Sequence, residues 1–571
     1  METTFEAETN AGGLRKSLLA AAGLPKVWGF TLRDMRRSLN AFWPTELSAT
    51  AIGLFAMFLS LTIGLLSVLY LFWGAGSSSI SGERKEVFPG PKRYPLVGSL
   101  FELLKNMHRT YDWLVETMAK ADSSWCFLTI PGAKLVVVTD PRDVEHMLKS
   151  RFENYPKGPE FHGLLYELLG NGIFNADGEV WRVQRKAASH EFSTKSLKEL
   201  MLTIFNNKVN GALVALMGRF AEEGTPFDLQ DVFQRCTFDT ICSIGFGVDP
   251  GCLAPELPVV PFANAFDIAQ EVHSRRFLQP PVAYKLKRFL GLGSERKLAE
   301  AVKEVDSFAY DVIRRRRQEM AGPCPQQHED LLSRFIAVAD RETKSPSAPE
   351  PENEGVPSTA DRFLRDIILN FVLAGRDTTS VTLTWFFWAL TQHRDVEEKI
   401  LGEVDRVDAA KGGSGAFGFE DLRSMNYLQA VLSETLRLYP AVPSDVKSAL
   451  SDDILPSGAI VRAGWRIAYF PYAQGRSAVV WGPDALEFKP ERWLDSAGNF
   501  VQPSPYKFSS FQAGPRICLG KDMAYLQMKV VAASLLRRFK FTVVPGHVVT
   551  YRQSLVLTMR YGLQVTVEQR R

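Results

Sequence analysis

The stretch Phe511-Gln-Ala-Gly514-Pro-Arg516-Ile-Cys518-Leu-Gly520 carries the pattern F-x-x-G-x-R-x-C-x-G. With each residue type at roughly 5% usage, five fixed positions match by chance in about one of several thousand chains of this length. A lone cysteine is most often a buried and inert thiol. Here a guanidinium and two glycines flank it, so the pattern indicates a cysteine that carries chemistry.

This segment resembles the haem-thiolate loop of the cytochrome P450 enzymes. The resemblance implies that Cys518 is the axial ligand of a haem iron and that the cofactor is haem b, iron protoporphyrin IX. A thiolate ligand donates electron density to the iron and favours O–O cleavage. The bound metal keeps the sulfur ionised in a dry pocket, and the backbone amides that open the following helix favour the same charge.

The other motif residues have physical reasons to stand where they do. Gly514 and Gly520 remove side chains where the backbone must turn or approach the macrocycle. The resemblance implies that Phe511 covers the sulfur of Cys518 and excludes water. Arg516 offers a planar fork to a haem propionate.

A second motif is Glu434-Thr-Leu-Arg437, whose i, i+3 spacing puts both side chains on one helix face. Such pairs are usually exposed and contribute little. Pro490-Glu-Arg492-Trp493 follows at the place where the family has a third partner. By resemblance, Glu434, Arg437 and Arg492 form a buried charge triad with a structural role, because breaking a buried network leaves its other charges unpaired.

Trp181 and Arg185 stand at i, i+4, so both donors face the same side and can reach one propionate. The alternative is a half-buried tryptophan beside a surface arginine. Lys447, ten residues after Arg437, stands where many relatives place another base that contacts a propionate, although the usual residue there is arginine.

The segment Ala374-Gly-Arg-Asp377-Thr378-Thr lies within a long apolar helical pattern. Glycine inside a helix costs about 1 kcal/mol relative to alanine, so Gly375 requires a reason. In the family, this alanine–glycine pair kinks the helix over the haem. Asp377 and Thr378 match the acid–alcohol pair of catalytic residues that delivers protons during oxygen activation. The alternative is an ordinary charged turn.

No charged residue occurs in residues 48–82, and a helix of about 20 apolar residues can cross a bilayer. The flanking basic residues do not decide the orientation. A buried core helix is the alternative. The predicted organisation is an N-terminal extension of unassigned role at 1–46, a transmembrane anchor at 47–74, a proline-rich hinge at 75–100 and a haem-thiolate monooxygenase domain at 101–571.

Composition is that of an ordinary globular chain, with 46% hydrophobic and 23% charged residues. A net charge of +3 is too small to indicate a nucleic-acid partner. Six cysteines without a C-x-x-C pair exclude a zinc ribbon or a dense disulfide framework. Helical patterns dominate, strands are expected at 135–139 and within 460–469 and 541–567, and residues 343–359 read as a disordered loop. The predicted fold class is mainly α, the cytochrome P450 fold with small β-sheets.

Four segments are similar to the plant fatty-acid omega-hydroxylase branch of the family: 152–158, 172–181, 374–380 and 511–524. The resemblance implies hydroxylation of a fatty acid at or near its omega carbon with O2, by a single-pass endoplasmic reticulum protein whose catalytic domain faces the cytosol. No G-x-G-x-x-G opens a helix after a strand, so electrons come from a separate partner, NADPH–cytochrome P450 reductase. Candidate reductase contacts are Arg182, Lys186 and Lys521. Candidate substrate contacts are Phe161, Leu164, Leu165, Leu168, Phe371, Val372, Leu555, Val556 and Leu557.

Three alternatives remain open. The substrate could be a smaller oxylipin, such as a jasmonate–amino acid conjugate. A haem-thiolate isomerase or dehydratase would work without a reductase, although such relatives depart from the helix motif and the cysteine loop. A membrane-anchored haem-binding sensor would do no turnover. Oxygen consumption with reductase and NADPH separates a monooxygenase from the isomerase or dehydratase and from the sensor. Incubation with acids of graded length separates the two substrate classes.

Overall fold

The computed structural model describes residues 88–570 other than 194, 322–329, 344–356 and 413–414, together with Ser60. The long apolar helix predicted around residues 374–379 runs through the middle of the structure and begins after Ser358. Ser358 Oγ accepts a hydrogen bond from the Asp361 N–H at 3.0 Å, as an N-cap residue does. A helical run then continues from Thr359 to Gln392, interrupted by a π turn. Most of its side chains are buried, so the other helices pack around it.

Twenty α-helices lie in the described residues, and the mainly α prediction is confirmed. In chain order they are α1 Leu100–Lys105, α2 Thr110–Lys120, α3 Pro141–Glu145, α4 Gly158–Leu169, α5 Gly178–Ser193, α6 Lys195–Asn207, α7 Val214–Glu223, α8 Leu229–Phe246, α9 Pro261–Arg276, α10 Pro281–Phe289, α11 Ser294–Met320, α12 Leu331–Thr343, α13 Thr359–Val372, α14 Thr378–Gln392, α15 Arg394–Ala409, α16 Phe419–Ser424, α17 Asn426–Leu438, α18 Pro471–Gln474, α19 Ala478–Trp481 and α20 Lys521–Arg538. Three π segments join them at His146–Ser150, Lys208–Leu213 and Leu373–Asp377. Short 3-10 helices span Met107–Arg109, Phe152–Asn154, Pro490–Trp493, Ser509–Phe511 and Gly514–Arg516.

Nine strands in the described residues form three small sheets. They are β1 Trp125–Ile130, β2 Ala133–Val138, β3 Phe227–Asp228, β4 Asp445–Ser448, β5 Asp453–Ile454, β6 Ile460–Val461, β7 Arg466–Tyr469, β8 Phe539–Val543 and β9 Gln564–Gln569. The largest sheet has the order β1-β2-β7-β4, in which β2 and β7 run parallel and the other neighbours antiparallel. The other two sheets are β3-β9-β8 and β5-β6.

Each of the three predicted strand regions contains strand in the structure, but the second and third are strand only at their ends. The strand expected at 135–139 is β2, whereas 460–469 divides into β6 and β7. The stretch 541–567 is strand only near its two ends, where β8 pairs with β9. The chain turns at Pro545-Gly546 and at Gly562, and both glycines have positive φ. The backbone between these turns therefore leaves the β8–β9 hydrogen-bond ladder.

The described residues after Glu86 belong to one unit with one large core and a smaller one beneath the four-stranded sheet. The smaller core contains Val136, Ile467 and Tyr469. Phe88 packs its ring against Phe127 at 4.8 Å, and the Phe127 N–H donates to Pro89 O at 2.8 Å. Residues 88–100, the second half of the predicted hinge, are therefore held against β1.

Several predictions fall on other residues. The extension at 1–46, the first half of the hinge and nearly all of the loop at 343–359 lie outside the described residues, as does the anchor at 47–74 apart from Ser60. Among described residues one helix, Lys198–Glu223, is long and apolar enough to cross a membrane. Its buried residues Met201, Phe205, Val209 and Leu213 recur every four positions along one face. This period is typical of an amphipathic helix packed on a core.

Candidate functional site

The residues from Phe511 to Cys518 form a closed loop that leads into α20. The Cys518 N–H donates to Phe511 O at 2.8 Å, which closes the loop. Gly514 has φ +65°, and a Cβ there would lie 1.9 Å from Leu148 O. Only glycine fits this close approach. Ser510 Oγ donates to Leu436 O at 2.9 Å and ties the loop to α17.

The Cys518 sulfur faces an enclosed space. Cys518 is exposed, whereas the other four described cysteines are buried. Desolvation by the surrounding protein nevertheless raises the pKa of the Cys518 thiol, so the open space beside the sulfur lies inside the molecule. The Gly520 N–H and the charges of Arg185 and Lys521 act in the opposite direction and favour the thiolate.

Trp181 and Arg185 lie on one face of α5, and their polar groups have no acceptor in the part of the chain that the structure describes. Trp181 is 7% exposed, yet its Nε1 makes no hydrogen bond with the described residues, and neither does the Arg185 guanidinium. Buried tryptophan N–H groups usually find a partner. Arg516 lies over the Trp181 ring at 4.5 Å and donates to Asp177 Oδ1 at 2.7 Å and Ala176 O at 2.8 Å. Donors of all three side chains thus surround one region.

Positive charge gathers next to this region. Lys157 and Lys447 both pair with Asp445, the second at 3.3 Å, and both ammonium groups are buried. Burial raises the pKa of Asp445, but the charges of these two lysines outweigh burial and hold the pKa below its usual value. Burial lowers the pKa of both lysines, and the positive charge of Arg516 lowers it further. Lys447 Nζ is enclosed by protein and has no well-aligned hydrogen bond in the described part of the chain.

Glu434, Arg437 and Arg492 are brought together in one buried cluster. Arg437 forms a fork with Glu434, with Nε–Oε2 and NH2–Oε1 distances of 2.7 and 2.8 Å. Arg492 Nε donates to Glu434 Oε1 at 3.0 Å. The motif reading missed two further donors to Glu434, the Trp493 Nε1 at 2.9 Å and the Lys489 N–H at 2.7 Å.

Asp377 and Thr378 lie at the end of the π turn between α13 and α14. Thr378 Oγ1 donates to Ala374 O at 2.6 Å. Phe371, Ala374, Gly375 and Thr378 are partly exposed along one stripe of an otherwise buried helix, so they line an internal space. Asp377 is 1% exposed and lies behind that stripe. Burial raises the pKa of Asp377 to about 7, against the neighbouring Arg376.

Gly375 has a packing reason in this structure. A Cβ at this position would lie 2.6 Å from Ile241 Cδ1 of α8. The glycine therefore lets α8 pack closely against the helix. The turn Leu373–Asp377 is π-helical and not α-helical, and the helix is therefore wider at this turn.

The candidate substrate contacts divide into two groups. Phe161, Phe371 and Leu555 keep accessible surface. The other six pack into the large core or are almost fully enclosed: Leu164, Leu165, Leu168, Val372, Val556 and Leu557. An open groove of about 1010 Å³ between α15, α16, α17 and residues 494–499 contains none of the predicted site residues.

Comparison with known proteins decides the family. The family model "Cytochrome P450" matches residues 88–567. The chain belongs to the cytochrome P450 family. Cytochrome P450 704B1 of Arabidopsis thaliana is 41% identical over 90% of this chain and 100% of its own length. Cytochrome P450 86B1 of the same plant is 42% identical, covering 86% of this chain and 87% of that protein.

Further relatives and a solved structure agree. Cytochrome P450 94A2 of Vicia sativa is 41% identical over 84% of this P450 and 91% of its own length. The crystal structure of the cytochrome P450DA heme domain superposes with a TM-score of 0.68 at 21% identity, covering 85% of this chain and 98% of that one. The fold prediction is confirmed, and the protein is a haem-dependent P450 monooxygenase.

The residues present fit a haem group. A thiol faces an enclosed space, and donors of Trp181 and Arg185 lack acceptors among the described residues. Neighbouring Lys157, Lys447 and Arg516 share few carboxylates, so the region carries surplus positive charge. Two propionate groups would supply the missing acceptors and negative charge.

Proposed function

We propose that this P450 hydroxylates a fatty acid at or near its omega carbon, with O2 and electrons from NADPH–cytochrome P450 reductase. The arrangement that carries the proposal is the Cys518 loop facing an internal space, together with the accessible stripe of Phe371, Ala374 and Thr378. The substrate class is supported by the four segments that resemble plant fatty-acid omega-hydroxylases and by full-length plant relatives at about 40% identity.

Cys518 would bind the iron through its sulfur, and Phe511, Gly514 and Gly520 shape the loop that presents this sulfur. Trp181, Arg185 and Arg516 would hold the propionates of the haem. The bound haem supplies oxygen activation and insertion of one oxygen atom into a C–H bond. Because the loop is tied to α17 through Ser510, the Glu434 cluster on α17 supports its position.

Thr378 and Asp377 move protons at this site. The Thr378 hydroxyl lies on the internal space and can exchange its bond to Ala374 O for a water molecule. Asp377, with a pKa near the working pH, can both take up and release a proton, which is the property of an efficient general acid–base.

Attack at the chain end requires control of orientation, because a primary C–H bond is stronger than its secondary neighbours. The pocket must present the terminal carbon and keep the inner carbons away, with positions set to within about an ångström. Phe161, Phe371 and Leu555 are the predicted contacts that remain accessible for this task.

We propose that the protein is held on the endoplasmic reticulum membrane by the anchor at 47–74 and the hinge at 75–100, with the domain 101–571 in the cytosol and no assigned role for 1–46. Helix α10 supports a second membrane contact. Its region exposes the apolar side chains Val282, Leu286, Phe289, Leu290 and Leu292. Exposed apolar patches of this kind mark protein or membrane contacts.

The reductase contacts differ in their availability. Arg182 pairs with Glu179 and with Glu153, so its charge is largely neutralised. Lys521 is half-buried over the Phe511 ring. Lys186 is exposed and makes no ion pair with described residues, which makes it the strongest of the three for steering an acidic partner.

Incubation of the full-length protein with reductase, NADPH and saturated and unsaturated fatty acids of graded length tests the proposal. The expected result is a dominant product hydroxylated at the terminal carbon. Turnover of a jasmonate–amino acid conjugate without fatty-acid turnover would contradict it. Oxygen uptake without added hydroperoxide excludes the isomerase or dehydratase, and absence of oxygen uptake with every acid would favour the sensor.

A further inference from the structure

Helix α9 meets the π turn at a buried polar cluster that consists of Asp267, Gln270, Arg376 and Asp377. Gln270 Nε2 donates to Asp377 Oδ2 at 2.9 Å. Arg376 NH1 lies 2.7 Å from Asp267 Oδ1 and 3.0 Å from Asp377 Oδ1. Gln270, Arg376 and Asp377 are each at most 2% exposed, whereas a quarter of the Asp267 side chain is exposed. The cluster thus leads from solvent to the acid beside Thr378.

Gln270 has an unused acceptor. Its Oε1 is buried and makes no hydrogen bond with any described residue. A glutamine amide carries a donor end and an acceptor end on one rotatable bond. The observed orientation donates to an ionised Asp377, and the rotated orientation would accept the O–H of a protonated Asp377.

Charges on every side of Asp377 influence its protonation. Burial raises the pKa of Asp377, Arg376 opposes this, and Asp267 raises the pKa further. The Gln270 hydrogen bond and Arg552, in the turn between β8 and β9, lower it. From α8, Asp231 and Cys242 interact with Arg376, not with Asp377 directly.

We propose that Gln270 is a positioning residue that holds Asp377 in both protonation states by rotating its amide, and that Asp267, acting through Arg376, sets the pH at which Asp377 takes up a proton. The inference rests on the proposed role of Asp377 in proton delivery. A purely structural contact would require only that α9 stay packed on the π turn. A proton carrier also requires a partner that fits both the acid and the carboxylate.

The test compares Gln270→Met and Asp267→Asn in the full-length haem-loaded protein. The protonated-carboxyl infrared band that disappears in Asp377→Asn is titrated with pH in each variant. Gln270→Met removes a donor to the carboxylate and should raise the midpoint by about one pH unit. Asp267→Asn removes a negative charge near Asp377, and Arg376 then pairs with Asp377 only. The titration midpoint of Asp377 should therefore fall. The pH dependence of product formed per NADPH should shift in the same way, upward in Gln270→Met and downward in Asp267→Asn.

Two further variants complete the design. Gln270→Glu keeps the side-chain length and should also raise the midpoint, which covers the case in which Gln270→Met does not fold. Gln230→Met removes another buried glutamine, which lies in the first turn of α8 and bonds to the Met559 backbone instead of to Asp377, and it should leave the midpoint unchanged. Unchanged coupling in Asp377→Asn would refute the proton relay itself. If Asp377→Asn impairs coupling but the midpoints of Gln270→Met and Asp267→Asn do not shift in opposite directions, the role proposed for α9 is overturned.

Discussion

Replacing Glu434 by glutamine should destabilise the folded protein strongly. The carboxylate is fully buried and accepts hydrogen bonds from Arg437, Arg492, Trp493 and the Lys489 backbone. Glutamine keeps one oxygen and presents an NH2 group to the remaining donors. Arg437, itself 1% exposed, then loses the partner of its charge.

The magnitude follows from these contacts. A hydrogen bond to a charged group contributes about 1.5–3 kcal/mol, and stranding one member of a buried ion pair costs about 3–5 kcal/mol. Carbonyl oxygens of Ala485 and Glu487 still accept from Arg437, which keeps the loss within that range. We therefore expect Glu434→Gln to lower the free energy of unfolding by about 3–5 kcal/mol, against a usual total of about 5–15 kcal/mol.

The assay is urea denaturation of the full chain in detergent, at fixed haem and detergent concentrations, followed through the absorbance of the reduced CO-bound protein. Glu491→Gln is the matched control. Its carboxylate pairs with Lys399 at 2.8 Å, but the two side chains are 45% and 52% exposed. Such a pair contributes about 0–1 kcal/mol. Equal midpoints for the two variants would refute the argument that the buried cluster supports the loop.

Three further outcomes are expected. Cys518→Ala should abolish the absorbance band of the reduced CO complex that is typical of thiolate ligation. Cys252→Ala, at a buried cysteine whose N–H donates to Asp239, should keep this band. An unchanged spectrum in Cys518→Ala would refute the haem-ligand assignment. Thr378→Ala should retain haem but release peroxide, with the rate of product formation reduced by about 10²–10⁴-fold while NADPH use continues. Thr384→Ala, which loses an equivalent bond to Ser380 O, should stay coupled. A chain that starts near Glu83 should bind haem, measured by the same CO spectrum, and failure under every expression condition would make the preceding segment part of the fold.

Local patterns predicted the parts of the site that depend on spacing within one element. The i, i+3 spacing of Glu434 and Arg437 places both on one face of α17, and the structure forms the pair. The same reasoning could not reach Lys157, which meets Asp445 across 288 residues of sequence. No local signal connects a lysine at the start of α4 with an aspartate on β4, because the contact depends on how the two elements pack.

Apolar residues show the same limit. Leu164, Leu165 and Leu168 are among the candidate substrate contacts, yet each is at most 2% exposed. Hydrophobicity identified them as inside the protein, but it could not separate a pocket wall from a packed core. The exposed apolar face of α10 was likewise not predicted, since its sequence alone is typical of any amphipathic helix.

Asp377 shows why a short motif specifies chemistry incompletely. Residues 374–379 place an acid next to an alcohol, and that much depends on adjacent positions. Burial raises the pKa of this acid, and the opposing hydrogen bond comes from Gln270, which lies 107 residues earlier and reaches Asp377 only through the packing of α9. In the proposal above, Gln270 therefore helps to set the pH range of the acid. A relative that keeps Asp377 and Thr378 but lacks an amide at the position of Gln270 should therefore couple oxygen use to product over a different pH range. A relative that keeps Asp267, Gln270 and Arg376 as well should match the pH dependence of this protein.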